Sequence, residues 1–132
     1  MDLGEAVSGR LAIGVGCRKG VAAEVIVRHI AAATAGLPPA VGLYTIADKR
    51  GEAGLMAAAE QLGLPLAFLP REALASVAQL TITPSPAAEA RFGLPSVAEA
   101  AALAAFAGRA RLIVPRQAGE GVTVAVAEEL LP

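Results

Sequence analysis

The chain has 132 residues, a formal net charge of −1 and one cysteine. This length indicates one domain, the charge gives no electrostatic reason to bind nucleic acid or a membrane surface, and a lone cysteine excludes an internal disulfide. Aromatic residues make up 3% of the chain, too few for a platform on which nucleic-acid bases could stack.

Strands and helices alternate in the first half of the sequence. Apolar runs bounded by Gly and Pro predict strands at residues 10–16, 41–46 and 64–69. Apolar residues at helical spacing predict helices at residues 20–35 and 52–62, and Pro70 starts a shorter one that reaches about residue 77. Each helix follows a strand, which favours right-handed parallel crossovers.

The second half predicts helices followed by a hairpin. Residues 80–83 predict a short strand, and the sequence Pro84-Ser85-Pro86 predicts a capped helix through Arg91. The pair Ser96 and Glu99 is typical of a capping box opening a helix over residues 97–107. Strands at residues 111–115 and 122–127 are separated by a glycine-rich loop. The order of these strands and helices predicts a single three-layer α/β/α domain with a mixed, mainly parallel sheet and a C-terminal hairpin.

Residues 14–20, GVGCRKG, form the most informative motif. They follow the first predicted strand and precede the first helix. Glycines allow a tight turn and close approach of a ligand, a helix start offers free N–H groups, and Arg18 and Lys19 add positive charge. The motif therefore predicts an anion or carboxylate site at the carboxyl edge of the sheet. The alternative is a purely structural turn that connects a strand to a helix and binds no ligand. Its spacing matches neither a P-loop nor a dinucleotide fingerprint.

A second group of polar residues follows the next strand: Thr45, Asp48, Lys49 and Glu52. A carboxylate beside a lysine could contact a ligand or transfer a proton, whereas Asp48 could equally cap the helix and Lys49 could be solvated. The only two lysines of the chain, Lys19 and Lys49, stand in these two turns. Because successive parallel strands bring their turns to one edge, we expect both turns to line one cleft.

Catalytic groups are few. Cys17 could be a nucleophile at a helix start, but His29 lies about three helical turns away, so a small packed residue is the favoured interpretation. Ser85 has no base partner in the sequence, and Ser96 with Glu99 forms either a helix cap or a second anion site. One histidine cannot build a histidine metal site, so we expect no metal and no cofactor.

No pattern typical of a secretory signal or a membrane-spanning segment occurs in the sequence. Residues 1–10, MDLGEAVSGR, lack the apolar core of a secretory signal. No uninterrupted apolar stretch is long enough to span a bilayer. We therefore expect a cytoplasmic protein.

Several of these motifs together resemble a known family. GVGCRKG at 14–20, TIADKRGEAGL at 45–55, PSVAEAAAL at 95–103, RLIVPRQ at 111–117 and VTVAVAE at 122–128 are similar to the cobalamin-biosynthesis CobE family. The same pattern resembles the C-terminal domain of CbiG, the cobalt-precorrin-5A hydrolase. Their order and spacing cover nearly the whole chain.

This resemblance implies a part in building the corrin ring of vitamin B12. It implies binding or handing on of a precorrin-type tetrapyrrole; the alternatives are a hydrolase acting on a pathway lactone, or an assembly partner of another pathway enzyme. Such a ligand carries many carboxylates on an apolar ring, which suits cations and N–H donors over an apolar floor. The candidate ligand-binding residues are Gly14, Gly16, Cys17, Arg18, Lys19, Gly20, Thr45, Asp48, Lys49, Glu52, Ser96 and Arg116, with Arg50 as a further cation.

Overall fold

The structure, a computed structural model, describes residues 9–131. Its strands are β1 (Leu11–Cys17), β2 (Gly42–Ile46), β3 (Leu66–Leu69), β4 (Ala110–Gly119) and β5 (Val122–Glu129). Its helices are α1 (Ala23–Ala33), α2 (Ala53–Leu62), α3 (Arg71–Ala75), α4 (Pro86–Phe92) and α5 (Val97–Ala104). Short 3-10 turns occur at Ala47–Lys49 and Ala78–Leu80. No helix within the described range is long and apolar enough to cross a membrane.

The five described strands form one mixed sheet in the order β3-β2-β1-β5-β4. β1 pairs parallel with β2, and β2 pairs parallel with β3. β5 runs antiparallel to both β1 and β4. The mixed sheet and the C-terminal hairpin are therefore confirmed, and every described strand except β5 runs in the same direction.

Alternation along β1 builds the two layers that cover the sheet. Ile13 and Val15 belong to the cluster that packs against Ile26 and Ile30 of α1 and Leu55 of α2. Residues of the other face meet α5, which is buried along most of its length. This arrangement confirms the three-layer α/β/α architecture, since each face of the sheet is covered by helices.

Several elements differ from the sequence-based expectation. Residues 80–83 form no strand, because the N–H groups of Ile82 and Thr83 bond to the Glu99 carboxylate instead of a neighbouring strand. α5 ends at Ala104 rather than at residue 107, where Ala107 takes a positive φ of 55°. β1 runs to Cys17, so Gly14 and Gly16 lie within the strand and the turn contains only residues 18–20.

Candidate functional site

A cavity of about 400 Å³ lies at the carboxyl end of β1, between the β4–β5 hairpin and α4. The turn after β1 is joined to the hairpin, because the Arg18 N–H donates to the Gly121 carbonyl at 2.8 Å. Glu120 and Gly121, both with positive φ, close the hairpin in two residues. The cavity is lined by Gly16, Cys17, Arg18, Ser85, Ala87, Ala88, Arg91, Phe92, Val97, Arg116, Ala118, Gly119, Glu120, Gly121, Val122 and Thr123.

The described lining is strongly cationic. Three arginines, Arg18, Arg91 and Arg116, face one acid, Glu120. The carboxylate of Glu120 is already bonded to Arg28 and, at 2.9 Å, to His29 Nε2. The hydrogen bonds from these partners, that of Arg28 being the larger effect, lower the pKa of Glu120, and the positive charge of Arg28 compensates its carboxylate. The cavity can therefore receive more than one negative group.

Phe92 is the one aromatic residue of the cavity lining. Arg71 and Arg91 lie over its ring, with guanidinium carbons 5.4 and 5.6 Å from the ring centroid. Val97 of α5 and Val122 of β5, both buried, also line the cavity. Positive groups around an apolar wall suit a ligand that carries carboxylates on an apolar body.

Arg116 is held by two backbone contacts. Its main-chain N–H donates to Glu99 Oε2 at 2.9 Å, and its Nη2 donates to the Pro84 carbonyl at 3.0 Å. Its Nε is buried and, alone among buried side-chain polar atoms of the described residues, has no hydrogen-bond partner. A buried donor without an acceptor costs about 1–3 kcal/mol, which a ligand oxygen could relieve.

Glu99 is fully buried beneath this arginine. One carboxylate oxygen accepts from the N–H groups of Ile82 and Thr83 at 2.8 and 2.9 Å, and the other accepts from Arg116. Burial raises the pKa of Glu99, but the backbone N–H bonds outweigh it and leave that pKa lowered. Ser96 caps the helix by accepting from the Glu99 N–H at 3.3 Å, so only one half of the predicted capping box forms.

Cys17 lies at the inner end of the cavity. The residue is buried, and desolvation raises the pKa of its thiol, although the charges of Lys49 and Arg91 act in the opposite direction. His29, the chain's one histidine, is engaged with Glu120. A neutral thiol without a base beside it is a weak nucleophile.

Most side chains of the second group of predicted residues form hydrogen bonds within the protein. Thr45 Oγ1 donates to the Val15 carbonyl at 2.7 Å, and Asp48 accepts two bonds from Arg71. The hydrogen bonds from Arg71 lower the pKa of Asp48. Glu52 accepts from the Gly20 N–H at 2.9 Å, so the two turns do adjoin. None of these side chains, nor Lys49, lines the cavity.

Of the remaining candidates, five also lie outside the lining: Gly14, Lys19, Gly20, Arg50 and Ser96. Gly14 sits under α5, and Lys19 is exposed in the turn. Lys49 is 7% exposed and has no carboxylate partner among the described residues. Ser85 lines the cavity, and its hydroxyl caps α4 by accepting from the Ala88 N–H.

Arg91 and Phe92 were missed by the sequence-based reasoning. Both lie at the end of α4, and no local pattern indicates that this short helix borders the cavity at the carboxyl end of β1. Within residues 9–131, no three His, Cys, Asp or Glu side chains are grouped so as to hold a metal ion.

Comparison with known proteins assigns the chain to a family. Residues 11–127 match the family described as the C-terminus of cobalamin synthesis protein G. The fold is similar to the crystal structure of CobE, a protein from the cobalamin (vitamin B12) biosynthetic pathway, with a TM-score of 0.87, 32% identity and coverage of 94% of this chain and 93% of that one.

A second solved structure is also similar. It is the cobalamin biosynthesis protein chiG from Agrobacterium tumefaciens str. C58, with a TM-score of 0.67, 38% identity and coverage of 90% of this chain and 98% of that one. Among curated protein sequences none matches. The family match over most of the length, together with the shared fold, shows that this chain belongs to the family of the cobalamin synthesis G C-terminus and takes part in cobalamin biosynthesis.

Proposed function

We propose that the protein binds a polycarboxylate corrinoid precursor, a precorrin-type tetrapyrrole, in the cavity between β1, the hairpin and α4, and holds it or hands it on. The observation that carries the proposal is the convergence of Arg18, Arg91 and Arg116 on one cavity whose single described acid is already paired. Each charge-assisted bond from an arginine to a ligand carboxylate contributes roughly 1.5–3 kcal/mol.

The apolar side of the cavity supports the same ligand class. Phe92, Ala87 and Ala118 offer an apolar surface for the body of a macrocycle, while the arginines meet the carboxylates at its rim. A tetrapyrrole is wider than this cavity, so the proposed mode seats one edge of the ring. Lys49, buried along its stem and without a carboxylate partner among the described residues, extends the positive region toward the end of β2.

The hydrolase alternative has less support from the described residues. Cys17 is buried with a raised thiol pKa, and the Ser85 hydroxyl serves as a helix cap. Neither has a histidine beside it, since His29 bonds to Glu120. Holding a ligand without converting it requires no such nucleophile and base.

A matched pair of corrinoids tests the proposal. Cobyrinic acid carries free carboxylates, and cobinamide presents most of the same side chains as amides. We expect equilibrium titration, followed by the ligand's own absorbance, to give at least roughly tenfold tighter binding of cobyrinic acid, because one charge-assisted pair is worth about that factor. Equal affinity for both, or no binding of either, would contradict the carboxylate site.

Mass spectrometry of the mixture separates binding from catalysis. Recovery of unchanged cobyrinic acid, and of unchanged lactone-bearing pathway intermediate, is the expected result for a carrier. A mass change that depends on the protein would favour the hydrolase. Binding that requires a second pathway enzyme would instead favour the assembly partner.

A further inference from the structure

We infer that Glu99 is a positioning residue for the cavity: it fixes the backbone from which Arg116 reaches the ligand, without lining the cavity itself. The inference rests on the proposed function, and it adds a buried determinant of affinity that lies behind the binding surface. It is carried by the three backbone bonds to one carboxylate.

The first step of the argument is the irregularity of β4. The pairing register between β4 and β5 shifts between Val114 and Gln117, on either side of Pro115 and Arg116. Such a bulge takes a residue out of the ladder and re-aims its side chain. The N–H of Arg116 bonds to Glu99 rather than to β5, so the buried carboxylate accepts the donor that the bulge releases.

The second step is that Glu99 also holds the other support of Arg116. Its second oxygen fixes Ile82 and Thr83, and the next residue, Pro84, accepts the bond from Arg116 Nη2. One carboxylate thereby secures both the main chain that carries the arginine and the carbonyl that orients its guanidinium. The Nε of Arg116 is left as a donor without an acceptor in the described residues.

Substitution by glutamine makes the test selective. In Glu99→Gln one oxygen can still accept from Ile82 and Thr83, and the amide NH2 then faces the Arg116 N–H, where two donors repel. The shape of the side chain is nearly unchanged. The expected damage is therefore concentrated at the bulge that positions Arg116.

The experiment is a double-mutant cycle with cobyrinic acid as the probe. We expect Glu99→Gln to weaken binding roughly threefold to tenfold in the wild-type background and by less than about twofold in the Arg116→Ala background, because its effect passes through that arginine. Glu60→Gln, on the exposed side of α2, is the matched control and should leave the affinity unchanged.

The outcomes separate the two proposals. An equal loss in both backgrounds would show that Glu99 acts only on overall structure and would overturn the inference. Failure of the wild type to bind cobyrinic acid would overturn the proposed function instead.

A ligand-free measurement covers the case in which Glu99→Gln does not fold. In the wild type, the Arg116 backbone amide should exchange slowly with deuterium, as a bonded buried N–H does. Exchange as fast as that of an exposed loop amide would show that Glu99 does not hold it, and the inference would fail.

Discussion

Gly14 leaves no room for a side chain. An ideal Cβ at this position would lie 1.8 Å from the carbonyl oxygen of Ala98 and 2.7 Å from the nitrogen of Ala102. Both atoms belong to the backbone of α5 and cannot turn aside as a side chain can. The glycine therefore allows the helix to pack directly on β1, and the alanines of α5 complete the close contact.

We expect Gly14→Ala to destabilise the protein by about 1–3 kcal/mol or more, because overpacking here requires the helix to move. Gly16→Ala is the matched control in the same strand. Its Cβ would meet the hydroxyl of Thr123 at 2.5 Å, a side-chain end that can change rotamer. Urea denaturation of both variants measures the difference, and equal losses would contradict the close packing of α5.

Cys17 offers a prediction about reactivity. Burial raises the pKa of the thiol, so it should be mostly neutral near pH 7. We expect a thiol reagent to label the native protein much more slowly than the urea-unfolded chain. Cys17→Ala should change the affinity for cobyrinic acid less than about twofold, since the thiol has no charge to offer. Rapid labelling of the native protein, with loss of turnover of a pathway lactone in Cys17→Ala, would restore the nucleophile hypothesis.

The two lysines look alike in the sequence and differ in the structure. Lys49 is 7% exposed and its charge acts on the thiol of Cys17, which lines the cavity, whereas Lys19 is exposed to solvent. We expect Lys49→Met to weaken cobyrinic acid binding by about tenfold, and Lys19→Met by clearly less, because salt and water screen an exposed charge. Methionine preserves the packing of the stem, and thermal unfolding checks that both variants are folded. An equal effect of the two substitutions would remove Lys49 from the proposed site.

At the scale of elements, the sequence predicts those strands and helices that a local pattern of residues marks. The apolar runs and the Gly and Pro boundaries locate all five strands, and helical periodicity locates α1 and α2. The predicted strand at residues 80–83 does not form, because the N–H groups of Ile82 and Thr83 donate to the carboxylate of Glu99, which is distant in the sequence. β4 extends beyond the predicted residues 111–115, since Pro115 and the register shifts hide the alternation that marks a strand.

The same contrast between local patterns and long-range contacts applies to the candidate site. Cys17, Arg18 and Arg116 stand next to recognisable strand ends, and the structure brings them to one cavity. Arg91 and Phe92 enter it only because α4 borders the same cavity as the end of β1, a long-range arrangement without a local signal. Thr45 and Asp48 were expected to meet a ligand, but the polar side chains that suggested this are bonded to Val15 and Arg71.

Two serine caps test how the helices of the second half are held. Ser96 and Ser85 each accept from the N–H three residues on, at 3.3 Å, but Ser96 is fully buried while Ser85 is half-buried on the peripheral α4. Loss of an N-cap costs about 0.5–2 kcal/mol. We expect Ser96→Ala to fall at the upper end and Ser85→Ala at the lower end, because water can replace the exposed bond. Urea denaturation of both variants decides, and the reverse order would contradict the assigned burial.

For the molecule as a whole, the carboxylates govern stability in acid. The pKa of Glu99 is lowered in the folded protein, and so are those of Asp48, Glu120 and Glu129, each beside an arginine. A lowered folded pKa means that the unfolded chain binds more protons. The stabilisation is therefore complete above the ordinary carboxyl pKa and is lost as the pH falls through the folded value.

Salt distinguishes the contributions of these groups. Asp48, Glu120 and Glu129 pair with arginines near the surface, and salt screens such pairs, whereas Glu99 is fully buried and bonded to backbone N–H groups. We expect the free energy of unfolding, measured in urea, to fall as the pH drops below about 4.5. At roughly 0.5 M salt, the decrease in the free energy of unfolding should be smaller but still present in the wild type. Glu99→Gln should remove most of the decrease that remains at this salt concentration. A fall that salt abolishes completely, or one that Glu99→Gln leaves unchanged, would mean that Glu99 is not a group that couples the stability of the fold to acid.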